Sequence, residues 1–199
     1  MIYIDSRGDW KLGGFSYITL LRDSEVGVTE DEPYLSYCTP MLGFCAPEVT
    51  LEKKCSKASD VWSLGSLTNA LFNNGMPIIR CSNVSAYKDQ LRNFPKLMNI
   101  PNGLETILND MLHIDARLRP TLQQIQECTY LKSGLISTIQ FLEFFIQKTA
   151  IEKARFLKDL VKVLPGFSFK TCIHKILPIL LNEFRDATMV SFLLPSLFW

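Results

Sequence analysis

Apolar residues return every three or four positions along most of the chain, which is the spacing of helices with one buried face. Val61, Leu64, Thr68, Leu71 and Phe72 predict a long helix with a single buried stripe. Ser56 or Ser59 can cap its start, and Asn73-Asn74-Gly75 ends it. A short helix follows within 83–93. Leu104, Ile107, Leu108, Met111 and Leu112 form the next apolar face. Thr121-Leu122-Gln123-Gln124 reads as a capping box for a helix carrying Leu122, Ile125 and Cys128. Beyond residue 131, Leu135, Ile136, Ile139, Leu142 and Phe145 mark another stripe. Thr149-Ala150-Ile151-Glu152 is a second capping box, with Ala154, Leu157, Leu160, Val161 and Leu164 on one face after it. Three Leu-Pro steps then recur, at 164–165, 177–178 and 194–195. Helices that repeatedly end or bend on Leu-Pro predict a stacked helical solenoid.

Only the start of the chain breaks the helical period. Met1-Ile2-Tyr3-Ile4-Asp5 and Trp10-Lys11-Leu12 are short strands around the turn residues 5–9, so a β-hairpin is expected. Residues 24–33 are polar and acidic, with neither helical nor strand period. They read as a solvated loop, in which phosphate on Ser24 or Thr29 would be repelled by Glu30, Asp31 and Glu32.

Composition narrows the function classes. Lys and Arg number 21 against 20 Asp and Glu, which argues against a nucleic-acid partner. Apolar residues make up 47% and charged residues 21%, enough for a sizeable core. The mean hydropathy of +0.11 is high for a self-contained soluble domain, so further chain is expected to cover some apolar surface. No apolar run reaches the ~18 residues of a membrane span, so no transmembrane segment is expected. The six cysteines form no C-x-x-C pair and carry no metal-site spacing, which fits a reducing intracellular compartment. No cofactor and no metal is expected. His113 reads as a structural histidine beside the core.

One constellation is specific. Phe44-Cys45-Ala46-Pro47-Glu48-Val49 is followed by Ser59-Asp60-Val61-Trp62-Ser63-Leu64-Gly65 and, far downstream, by Arg119-Pro120-Thr121. This order and spacing resembles the C-terminal half of a protein-kinase domain. The resemblance implies that Glu48 closes the activation segment and pairs with Arg119, that Asp60 opens a central helix, and that Trp62 packs in the lobe. All three charged residues are then structural. Aligned on Phe15, the Asp-Phe-Gly motif that anchors magnesium reads Gly14-Phe15-Ser16, a degenerate metal motif without its ligand. The phosphate loop, strand lysine and catalytic loop would all lie upstream of residue 1, so the chain reads as a fragment with no catalytic residue.

The tail carries a narrower resemblance. Residues 152–160, Lys175-Ile176-Leu177-Pro178 and 182–195 resemble the Scy-like pseudokinases, which join a degenerate kinase domain to HEAT-type repeats. Within that family, 182–195 and Trp10-Lys11-Leu12-Gly13-Gly14-Phe15 look most like the member associated with clathrin-coated vesicles. The resemblance implies a mainly α fold: a kinase-like C-terminal lobe with a short hairpin over 1–131, then the start of a HEAT or armadillo-type solenoid over 132–199. It implies a catalytically inactive scaffold in traffic among the trans-Golgi network, endosomes and coated vesicles. Such a scaffold is cytoplasmic and peripheral to membranes, held there through coat or adaptor proteins. Two alternatives stand beside it. One is an ATP-binding serine/threonine kinase acting on proteins in its full-length form, and the other is a regulatory subunit of an active kinase.

Overall fold

Asp5 builds the first turn. Its carbonyl accepts from Gly8 N–H at 2.9 Å and its amide donates to the Asp9 carbonyl at 3.0 Å. Its Oδ1 accepts from Asp9 N–H at 2.9 Å. Gly8 takes φ +85° there, a conformation that side chains resist. The turn joins β1 (Ile2–Ile4) to β2 (Trp10–Leu12) in an antiparallel pair, with Ile4 opposite Trp10. This is a computed structural model, and it describes residues 2–6, 8–13, 15, 18, 26–27 and 41–198. The chain forms two compact units, one of Phe15–Tyr130 and one of Met1–Gly14 with Leu131–Trp199.

In the unit Phe15–Tyr130, β3 (Val26–Gly27) pairs antiparallel with β4 (Lys54–Cys55), Val26 opposite Cys55. The acidic stretch therefore holds a short strand where no strand period is visible. A two-residue ladder is too short to leave one. Its other residues, Ser24 and Thr29 among them, lie outside the described residues. Pro47 opens α1 (Pro47–Glu52), where its missing N–H costs nothing. Lys53, at φ 56°, closes it. Ser56 then caps α2 (Lys57–Phe72): its amide donates to Ser59 Oγ at 3.0 Å, so Ser59 is the third residue of the helix rather than its cap.

The buried face of α2 differs from the predicted stripe. Val61, Trp62, Gly65, Ser66, Asn69 and Ala70 face inward, while Leu64 and Leu71 are 37% and 52% exposed. The reason is close packing. A Cβ on Gly65 would stand 3.1 Å from both Leu112 Cγ and Met111 Cβ. Ser66 Oγ donates to the Gly43 carbonyl at 2.9 Å, and Asn69 Nδ2 to the Met76 carbonyl at 3.3 Å. Small and hydrogen-bonding side chains fit this gap, and leucines do not. Gly75, at φ +78°, ends the helix by donating to the Ala70 carbonyl at 2.8 Å. Asn83 caps α3 (Val84–Arg92), its Oδ1 accepting from Ala86 N–H at 2.9 Å. The turn of α4 (Glu105–Met111) buries Leu108 and Met111 against α2. Thr121 and Gln124 form the capping box of α5 (Leu122–Gln126), which buries Ile125 and leaves Leu122 exposed.

The second unit carries α6 (Gly134–Glu143), α7 (Ala150–Val163), α8 (Phe169–Thr171), α9 (Leu177–Glu183) and α10 (Val190–Leu197). The Thr149–Glu152 capping box starts α7, with Thr149 N–H donating to Glu152 Oε2 at 2.9 Å. Leu142, Phe145, Leu157, Leu160, Ile176 and Leu193 meet in one core, and Phe141 stacks on Phe156 at 4.3 Å beside it. Leu135 leaves the predicted stripe and lies over Gly166 at the surface.

The three Leu-Pro steps behave differently from one another. Leu164-Pro165 sits in a 3-10 turn directly after α7, so that helix does end there. Pro178 follows a π-helical turn at Cys172–Ile176. Its ring would clash with the carbonyl four residues back, and the wider turn absorbs this. Pro195 lies inside α10. Among the described residues no helix is long and apolar enough to cross a membrane.

Candidate functional site

Arg119 is the centre of the best-formed polar site. It follows a 3-10 turn at Ala116–Leu118, and its side chain is 0% exposed. Nη1 donates to Glu48 Oε1 at 2.7 Å and Nη2 to Oε2 at 2.8 Å, a bidentate pair. Nη1 also donates to the Ala58 carbonyl at 2.8 Å, Nε to the His113 carbonyl at 2.8 Å and Nη2 to the Ile114 carbonyl at 3.2 Å. All five guanidinium N–H groups are thereby used. The Trp62 ring lies 5.0 Å from the guanidinium carbon.

Glu48 sits in the first turn of α1, where the helix dipole favours a carboxylate. It also accepts from Ser59 Oγ at 2.7 Å. Burial opposes its ionisation, but the hydrogen bonds from Arg119 and Ser59 outweigh that and hold its carboxyl below the usual range. Asp60 lies in the first turn of α2, and desolvation pushes its carboxyl up. The site therefore ties α1, the start of α2 and the loop 113–119 together. It holds backbone in place, and Glu48 also edges the groove beside it.

The metal motif is different. Gly14 and Ser16 lie outside the described residues, and Phe15 is exposed. A kinase fold implies a nucleotide and magnesium; among the described residues no three His, Cys, Asp or Glu side chains cluster to hold a metal. His113 is exposed, with Nδ1 accepting from Asp115 N–H at 3.1 Å. Beside the ion pair a groove of about 520 Å³ is lined by Pro47, Leu51, Cys55, Leu91, Ile114 and Arg117, among others. Its rim charges are paired among themselves, Arg117 with Asp115 at 2.7 Å and Lys54 with Glu52 at 3.7 Å.

Several working residues have no signature in the sequence. Ser59, legible only as a possible cap, is a ligand of Glu48. Tyr87 is fully buried in α3, and its hydroxyl donates to the Cys45 carbonyl at 2.7 Å. In the second unit Lys153 Nζ reaches both oxygens of Glu183, at 2.8 and 2.9 Å, and lies 5.2 Å over Phe145. The one available signal was opposite charges at inward positions of two helices.

The family model described as the protein kinase domain matches residues 2–131. The human protein named SCY1-like protein 2 is 30% identical over 98% of this chain and 22% of its own length. A Dictyostelium discoideum protein named probable inactive serine/threonine-protein kinase scy1 is 23% identical over 92% of the chain and 21% of its own. The Eremothecium gossypii protein named serine/threonine-protein kinase PKH3 is 29% identical over 63% of the chain and 17% of its own. The chain thus spans about a fifth of the length of these curated relatives. With the domain model matching more than half of its residues and Scy1-like homologues matching nearly all of them, the chain belongs to the protein kinase domain family.

Proposed function

We propose that this chain is part of a catalytically inactive pseudokinase scaffold. One observation carries the reading, the buried Glu48–Arg119 bond that the chain keeps; in this reading Gly14 takes the place of the magnesium aspartate. The bracing pair serves folding, and the missing ligand removes phosphoryl transfer. The Dictyostelium relative's name, a probable inactive kinase, supports the same reading. In it, 1–131 is the lobe and 132–199 begins a HEAT-type solenoid. The scaffold works in membrane traffic at clathrin-coated vesicles, the trans-Golgi network and endosomes, bound peripherally through coat or adaptor proteins. The relative from Eremothecium, named a kinase, favours a second reading, a protein kinase acting in full-length form.

A thermal melt of the full-length protein with and without excess ATP and magnesium, beside an assay of phosphate transfer to protein substrates, separates the two. A ligand at 100 times its dissociation constant adds about 2.7 kcal/mol to a folded binder. A cooperative melt with no shift is expected. A clear upward shift would overturn the inactive reading.

A further inference from the structure

The connection between α6 and α7 leaves three large apolar side chains in solvent. Phe144 is 53% exposed, Ile146 77% and Ile151 82%. The connection itself is anchored, with Phe145 buried in the core and Thr149 capping α7. Ile151 also opens a row along the outer face of α7. Arg155, Lys158 and Lys162 follow it four, seven and eleven residues on, a spacing that keeps to one face of a helix. All four are exposed, on the side opposite the buried Leu157 and Leu160. Lys148, within the connection, lies 5.2 Å over Phe141, and Lys158 lies 5.3 Å over Phe192 of α10. The carboxylates along this row are engaged locally. Glu152 Oε2 accepts from Thr149 N–H at 2.9 Å and from Thr149 Oγ1 at 2.7 Å, and Asp159 accepts from Lys162 at 2.8 Å. Glu143, at the end of α6, opposes the cations. Charge is also segregated along the chain. Residues 131–199 hold nine Lys and Arg against five Asp and Glu, whereas 15–130 hold ten against thirteen.

We propose that the α6–α7 connection and the outer face of α7 bind an anionic lipid surface directly. Phe144, Ile146 and Ile151 enter the boundary between headgroups and acyl chains, while Lys148, Arg155 and Lys158 meet the lipid phosphates and carboxylates. Bulky apolar residues exposed beside cations match the two zones of that boundary. An acidic peptide would answer the cations and leave the apolar side chains in water. A helix rises 1.5 Å per residue, so Arg155 stands about 6 Å and Lys158 about 10 Å along α7 from Ile151. Long basic side chains span those offsets when Ile151 sits about 5–10 Å below the headgroups. Each cation near such a surface is worth about fivefold in affinity, so three of them, opposed by Glu143, give reversible attachment. The contact needs no coat or adaptor protein. It also stands apart from the inactive-kinase reading, because neither Glu48 nor Gly14 takes part in it.

The test is flotation of the full-length protein with protein-free vesicles of phosphatidylcholine, with and without phosphatidylserine. Binding is expected only with phosphatidylserine, and it should weaken as salt rises. Arg155→Gln and Lys158→Gln should each weaken it about fivefold. Ile151→Ser should weaken it about tenfold, and at every salt concentration. Lys170→Gln, in α8 beyond the other end of α7, should change nothing. All these side chains are exposed, so the variants should melt with the wild type, and a melt of each checks that. Wild-type binding by a protein carrying both Arg155→Gln and Lys158→Gln would overturn the proposal. So would equal binding to the two kinds of vesicle, or binding to neither. Binding that Ile151→Ser leaves unchanged and that soluble polyglutamate displaces would assign the face to an acidic protein segment and overturn the lipid reading.

Discussion

Arg119 shows how much one side chain can hold. Its five N–H groups meet one carboxylate and three backbone carbonyls, with an indole face beside them. Removing one partner of such a buried pair leaves a charge or several carbonyls unpaired, which costs about 3–5 kcal/mol. Arg119→Ala should therefore lower the unfolding free energy of the unit Phe15–Tyr130 by that amount, read as a lower urea midpoint at unchanged slope. Arg119→Lys should recover little, since an ammonium cannot span five acceptor positions. A midpoint for Arg119→Ala equal to wild type would show that the pair contributes nothing. The partner's titration adds a pH signature. Glu48 ionises more readily folded than unfolded. Its stabilisation is therefore fully present above the unfolded carboxylate range, near about pH 4.3, and is lost as pH falls toward the lower folded value. Glu48→Gln should flatten that acid limb of a stability–pH curve, and an unchanged limb would assign it to other carboxylates. The sequence made this pair legible because its two motifs have fixed chemistry and order. It left Ser59 Oγ and the carbonyls of Ala58, His113 and Ile114 invisible, since carbonyl partners are chosen by the path of the chain.

The helix α2 teaches the opposite lesson at the scale of an element. Its length and ends follow from Ser56, the apolar run and Gly75. Its buried face does not, because hydrophobicity ranks Leu64 and Leu71 above Gly65, Ser66 and Asn69. The neighbours Gly43, Leu112 and Met111 approach too closely for that ranking to decide. Leu64→Glu should thus change stability by no more than about 0.5 kcal/mol, whereas Trp62→Ala should cost about 3–5 kcal/mol. Chemical denaturation of the two variants checks this, and a large loss for Leu64→Glu would restore the stripe predicted from periodicity. The same limit appears at 177–178 and 194–195. Leu-Pro reads as a helix break from sequence, yet a π-helical turn precedes Pro178 and α10 continues past Pro195.

At the scale of the molecule, the two units have separate cores. Leu160 is 1% exposed at the centre of the cluster formed by α6, α7, α9 and α10. Leu160→Asp buries an unpaired charge there. Hydrogen exchange should show lost protection across 134–197 and retained protection in α2, and loss in both places would mean that the units unfold together. The match to the kinase domain model covers 2–131, while Scy1-like relatives continue across the tail. Family membership was readable at this scale from the spacing of Ala-Pro-Glu, Ser-Asp-Val-Trp-Ser-Leu-Gly and Arg-Pro-Thr.

By itself the sequence determined the hairpin, the helix starts at Thr121 and Thr149, the mainly helical class and the likeness to a protein kinase domain. These are local or depend on fixed motifs: a cap acts over three residues, and a turn over five. Tertiary structure alone decided which side of α2 is buried, what satisfies Arg119, how Lys153 is neutralised by Glu183, and that the Tyr87 hydroxyl meets the Cys45 carbonyl. Each of these depends on the distance between backbones remote in sequence. That distance is set by the packing of the whole unit and leaves no local pattern to read.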